Sequence, residues 1–209
     1  MIEYVSLEQQ RNRGWPWPES SFGLDAMFGE DGWCRECGVP RHPQTGSLVL
    51  ERKAMRPSGV WVPNWRFDVI CLERPLGVEL QKSFRIDLRD VGWHGDPPGE
   101  ASQIVAPVVG DAWFSPDELR TRATVRNGYP GETCAECGVW KWSPIPREFL
   151  PVVKRPEALD QFDVAASPEW FGAGRKAFRL VVLRRQLAEA LQAASPRDVR
   201  VAELSWDNG

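Results

Sequence analysis

Four of the five cysteines stand in two pairs of identical spacing, Cys34-Arg-Glu-Cys37-Gly38 and Cys134-Ala-Glu-Cys137-Gly138. Two intervening residues turn the backbone tightly enough to aim both sulfurs of a pair at one ion. A glycine directly after the pair accepts a positive φ and lets backbone N–H groups approach sulfur. Two such knuckles supply four thiolates, the number a tetrahedral structural zinc takes, so Cys34, Cys37, Cys134 and Cys137 are expected to hold one Zn2+ together. An ion saturated in this way has no open position for water, which makes it a scaffold and not a catalytic centre.

Thiol–disulfide exchange is the competing chemistry, because Trp33-Cys34-Arg-Glu-Cys37 superficially matches a Trp-Cys-x-x-Cys redox motif. Such a motif needs a helix starting at its first cysteine, and Gly38-Val-Pro40 would break that helix within a turn. Cys71 lies in the apolar run Val69-Ile-Cys-Leu72 and reads as a small core residue. The stretch from Asp87 through Asp90 and His94 to Asp96 could form a carboxylate and imidazole site, but reads first as a polar strand end and turn. Arg175, Lys176, Arg179, Arg184 and Arg185 make the strongest basic tract, open either to an anionic partner or to solvent. Among the 11 tryptophans, Trp61, Trp65, Trp140, Trp142 and Trp170 are candidates for a contact surface, with core packing the plainer role. No GxGxxG, Walker loop, GxSxG or HExxH motif occurs, so the expectation is a binding protein and not an enzyme.

The elements that must position the cysteines recur with them. Glu36, Gly38 and Val39 match Glu136, Gly138 and Val139, which marks an internal repeat. Downstream, Phe67-Asp-Val-Ile-Cys-Leu72 leads into leucines at 72, 76 and 80, and Phe178-Arg-Leu-Val-Val-Leu183 into leucines at 183, 187 and 191. Each reads as a strand feeding one face of a helix, and the linker of the second copy is about 11 residues longer. Pro75 and Gly77 limit the first helix to a short one, with Pro75 in its opening turn. Strands are expected again at 84–88 and 199–204, an opening strand at Ile2–Leu7, and a short helix from Ser115-Pro-Asp-Glu. The fold class is therefore α+β: two related strand-helix-strand halves, residues 1–100 and 101–209, joined through a zinc-ribbon-like pair of knuckles into one unit.

Composition bounds the rest. A chain of 209 residues, 42% hydrophobic and 26% charged, is long enough to bury a core without disulfides. The 18 prolines and 18 glycines call for short elements and many turns. A net charge of -3 opposes collection on nucleic acid or an anionic membrane. The N-terminus lacks the apolar stretch of a secretory signal, and paired cysteines suit a reducing compartment, so a cytoplasmic protein is expected.

The paired motifs, each followed by a strand and helix, resemble the double-CXXCG motif family of myxobacterial paralogues, which includes immunity proteins of swarming-inhibition toxins. The segment from Asp160-Gln-Phe162-Asp163 through Phe178-Arg-Leu-Val-Val-Leu-Arg-Arg-Gln-Leu187 is similar to that family's closing strand and helix. Arg35 and Ala135 stand where the family often has proline. The resemblance implies zinc ligation by Cys34, Cys37, Cys134 and Cys137, and neutralisation of a cognate toxin domain by binding. It transfers no particular contact residue. The alternative is a zinc-ribbon adaptor that binds nucleic acid or the transcription machinery.

Overall fold

The computed structural model describes residues 3–53 and 55–207. Ile2, placed by the sequence at the head of the first strand, lies outside the described residues. The chain is mixed α+β, with many short strands and few helices. Its first part forms β1 (Tyr4–Gln9), β2 (Trp15–Pro16), α1 (Leu24–Phe28), β3 (Val49–Glu51), β4 (Val60–Trp61), β5 (Ile70–Glu73), α2 (Arg74–Leu80), β6 (Asp87–Asp90), β7 (Gly92–Trp93) and β8 (Ala101–Val105). There follow α3 (Pro116–Asn127), β9 (Gly131–Thr133), β10 (Trp140–Trp142), β11 (Val153–Lys154), β12 (Val164–Ala166), β13 (Phe171–Ala173) and β14 (Lys176–Phe178). The chain closes with β15 (Val181–Arg184), α4 (Arg185–Ala194), β16 (Val199–Ala202) and β17 (Trp206–Asp207).

Both expected strand-to-helix passages are present. Pro75 sits in the opening turn of α2, where its missing N–H costs nothing, and the helix runs only seven residues. Gly77 has a packing reason, because a Cβ there would stand 2.8 Å from Leu88 and 2.9 Å from Leu72. In α4, Leu187, Ala188 and Leu191 form the buried stripe. The helix after Ser115 runs twelve residues and stops at Gly128 in the left-handed region, longer than the sequence suggested.

Of three four-stranded sheets among the described residues, β14-β13-β10-β9 carries the second cysteine pair, and the other two have the orders β4-β5-β8-β6 and β12-β15-β1-β16. In each of these two, a helix joins two parallel strands (β5 to β6, β15 to β16) that flank a third running antiparallel to both. Parallel strands of one sheet cannot be joined by a tight turn, so a crossover such as the helix is what the geometry requires. The central strand comes from elsewhere in each case. Residues 101–105 fill the slot in the sheet built from residues 60–90, and residues 4–9 fill the slot in the sheet built from residues 164–202. Register agrees as well: Leu72 faces Ser102 and Val60, and Leu183 faces Val5 and Val164.

Alternation along the strands divides the interior. Ile70 and Leu72 of β5 and Leu183 of β15 point into one cluster that also takes Leu80 of α2 and Leu187 and Leu191 of α4. That cluster belongs to both sheets at once. Cys71 and Val182 point the opposite way, into two flanking clusters. A smaller, separate cluster surrounds the cysteine pairs.

Candidate metal centre

Each knuckle is a turn closed by the same two backbone hydrogen bonds. Cys34 N–H donates to the Val39 carbonyl at 2.9 Å and Gly38 N–H to the Cys34 carbonyl at 2.8 Å; the Cys134 and Gly138 equivalents are 3.0 and 2.9 Å. Gly38 and Gly138 have φ of 77° and 71°, the left-handed conformation that the sequence reading assigned to them. The second turn is the tip of a hairpin between β9 and β10, with Trp140 opposite Thr133. The first has one bridge at the matching place, Trp33 opposite Pro40, where proline has no N–H to give a ladder.

The two tips meet sulfur to sulfur. Cys34 Sγ lies 3.6 Å from Cys134 Sγ, and Cys37 Sγ lies 3.5 Å from Cys137 Sγ. All four sulfurs lie within 4.8 Å of one another, and all four cysteines are free thiols. Bonds of about 2.3 Å to a tetrahedral zinc would set sulfurs about 3.8 Å apart, so the donor set is compatible with a single metal ion. A disulfide would need about 2.05 Å, far shorter than either contact.

Electrostatics favour a cation at this point. Burial pushes the Cys34 and Cys37 thiols up, since an isolated thiolate loses its hydration there. The N–H groups of Cys137 and Glu136 aim at Cys134 Sγ and bring that thiol down to about 7. The N–H groups of Cys37 and Glu36 aim at Cys34 Sγ in the same way. A divalent ion would offset the cost of ionising the buried sulfurs, and the backbone dipoles already point in the direction that stabilises thiolate.

Three further contacts fix the tips, and the sequence had not marked any of them as functional. Lys141 of β10 is fully buried, and its Nζ donates to the Cys37 carbonyl at 3.1 Å and to the Gly174 carbonyl. One knuckle's outgoing strand thus holds the other knuckle. Arg41 pairs with Glu136 at 2.6 Å across the outer rim. The turn between β13 and β14 presses on Gly38 so closely that a Cβ would stand 2.0 Å from the Arg175 carbonyl oxygen. A lone lysine between Trp140 and Trp142 was the available sequence signal for the first of these.

The other candidates take plainer places. Cys71 is buried in an apolar cluster. Asp90 pairs with Arg74 and Asp96 with Arg52, while the His94 ring stacks on Trp17 at 4.2 Å. Among the described residues, the four cysteines form the one group of three or more such side chains able to hold a metal. The basic tract is committed internally. Lys176 and Arg179 lie over the rings of Trp65 and Trp170, Arg184 pairs with Asp163 at 2.7 Å, and Arg185 pairs with Glu203 at 2.7 Å. Arg175 donates to the Ser20 carbonyl and lies over Phe22. Trp61 and Trp142 are core residues, with Trp140 edge-on to Trp142 and Trp170 packed against the cysteine cluster.

In comparisons with known proteins, no family model, no curated protein and no solved structure matches the chain. No helix among the described residues is long and apolar enough to cross a membrane.

Proposed function

We propose that the four cysteines bind one structural Zn2+ and that the clamped scaffold binds a cognate bacterial toxin domain in the cytoplasm and neutralises it by occlusion. The observation that carries the first part is the convergence of four sulfurs from two matching turns, which leaves an ion no position for substrate. Support for the second part is the resemblance of Cys34-Arg-Glu-Cys37-Gly38 and Cys134-Ala-Glu-Cys137-Gly138 to the double-CXXCG motif family, with its immunity proteins. A net charge of -3 suits a basic partner, with association that slows as salt rises. The adaptor reading is weaker, because the arginines and lysine between 175 and 185 that supported it are held in internal contacts.

The finer reading of the fold belongs to the same proposal. The chain is a duplicated unit whose two copies have exchanged their first strands. Tyr4–Gln9 and Ala101–Val105 each open a copy and each fill the central slot of the other copy's sheet. The clamp then joins two copies that are already interleaved.

Co-expression with the toxin domain encoded beside this chain tests the function, with growth and a sizing column as readouts. Relief of killing and a stable complex are expected, both lost in Cys34→Ser/Cys134→Ser. Unrelieved killing by a folded, metal-loaded chain rejects the immunity reading. Elemental analysis of untagged protein tests the metal separately, with one zinc per chain expected.

A further inference from the structure

A cleft of about 840 Å³, lined by none of the four cysteines, lies between the edge of the sheet at β16 and the loop before β11. That size falls in the range of small-molecule sites. Leu7, Phe67, Phe178 and Leu180 give it apolar walls. The charges that line it are, with one exception inside, already committed. Glu8 and Arg200 pair with each other, Glu203 pairs with Arg185, and Arg179 donates to the Ser167 carbonyl at 2.6 Å. Glu148 also lines the cleft and is exposed to solvent.

The exception is Arg147. It also lines the cleft, and its Nη1 is buried with no hydrogen-bond partner among the described residues. Desolvation pulls its guanidinium down to about 10, and the nearby Glu8 opposes that only in part. A desolvated cation without a partner is costly, and proteins retain one chiefly where an anion completes it. The carboxylates of Glu8 and Glu203 would repel a doubly charged phosphate more than a single carboxylate, and Arg147, whose Nη1 has no partner, can turn two N–H groups on one carboxylate.

We propose that this cleft binds a small monocarboxylate with an apolar body, its carboxylate on Arg147 and its hydrocarbon against Phe67 and Phe178. The inference does not depend on the toxin-binding reading or on the metal.

The test is calorimetric titration of the full chain, as purified, with octanoate, 1-octanol and octylamine. Octanoate is expected to bind saturably and at least tenfold more tightly than either of the others. In Arg147→Met, octanoate should fall to the level of octanol. Ala202→Phe, on the edge strand that lines the cleft, should weaken octanoate and octanol alike. Octanoate binding no tighter than octanol in the native chain overturns the proposal, as does Arg147→Met that keeps the preference. Should Arg147→Met fail to fold, the native chain's ranking of the three ligands together with Ala202→Phe decides the matter.

Discussion

The turn at Cys34 and the turn at Cys134 share a backbone, a hydrogen-bond pattern and a pair of N–H groups aimed at sulfur, yet they differ in what surrounds them. Cys34, Cys37, Gly38 and Val39 are all buried, pressed by the β13–β14 turn and held by Lys141. In the second turn only Cys134 is buried; Cys137 and Val139 are partly covered and Gly138 is exposed. Equal cysteine pairs can therefore be positioned by unequal means. Packing places the first turn, whereas the second projects from the β9–β10 hairpin with less cover and meets the first through the four sulfurs, Lys141 and the Arg41–Glu136 pair.

If the cysteines hold the proposed zinc, its removal should have the largest effect, and that effect should fall on the second turn. Structural zinc contributes on the order of 10 kcal/mol in small peptides, but here the core supplies part of the order, so a loss of about 5 kcal/mol is expected. At roughly 2–4 °C per kcal/mol for a chain of this size, the thermal midpoint should drop by about 10–20 °C on chelation. Hydrogen exchange should rise first in residues 131–142. Equal loss of protection in residues 32–41 would break the comparison.

Alanine at the two glycines separates conformation from packing. Both positions carry the left-handed penalty of about 1–2 kcal/mol. Gly38→Ala must also displace the Arg175 carbonyl, so it should cost about 3 kcal/mol or more, while Gly138 has nothing within 4 Å and should show the conformational cost alone. Urea unfolding of the two variants measures the gap. Equal costs would show that the β13–β14 turn yields readily.

Lys141→Met comes next. It removes the cation that holds the Cys37 and Gly174 carbonyls, a loss of about 2–3 kcal/mol for hydrogen bonds of this kind. Metal should leave faster to a chelator, because the first turn loses its tether to β10. A variant with lower stability and unchanged metal release would confine Lys141 to packing.

The cysteine pairs, the passages from β5 into α2 and from β15 into α4, and the restraint at Pro75 were all legible, because each rests on spacing within a dozen residues. The places of β1 and β8 in sheets built from distant parts of the chain were not. Apolar strands state that they pair, but alternation does not name a partner a hundred residues away. Lys141 escaped for a related reason: it is satisfied by backbone carbonyls, which every residue offers and no side-chain pattern announces. The tract at 175–185 read as a basic patch because its partners are a carboxylate about twenty residues away, Asp163, and the uncharged rings of Trp65 and Trp170.

The smallest effect should come from the pair on the rim. Arg41 and Glu136 meet at 2.6 Å, but their side chains are 49% and 41% exposed, so water screens both charges. A cycle of Arg41→Ala, Glu136→Ala and the double variant should give a coupling of about 0.2–1 kcal/mol, shrinking as salt is raised. In metal-free protein the same pair is the surviving rim contact between the turns, and its coupling should fall toward zero if the second tip swings away once the sulfurs are released. Persistence of the coupling without metal would mean that the tips stay docked without the clamp, and the second turn would then be as firmly placed as the first.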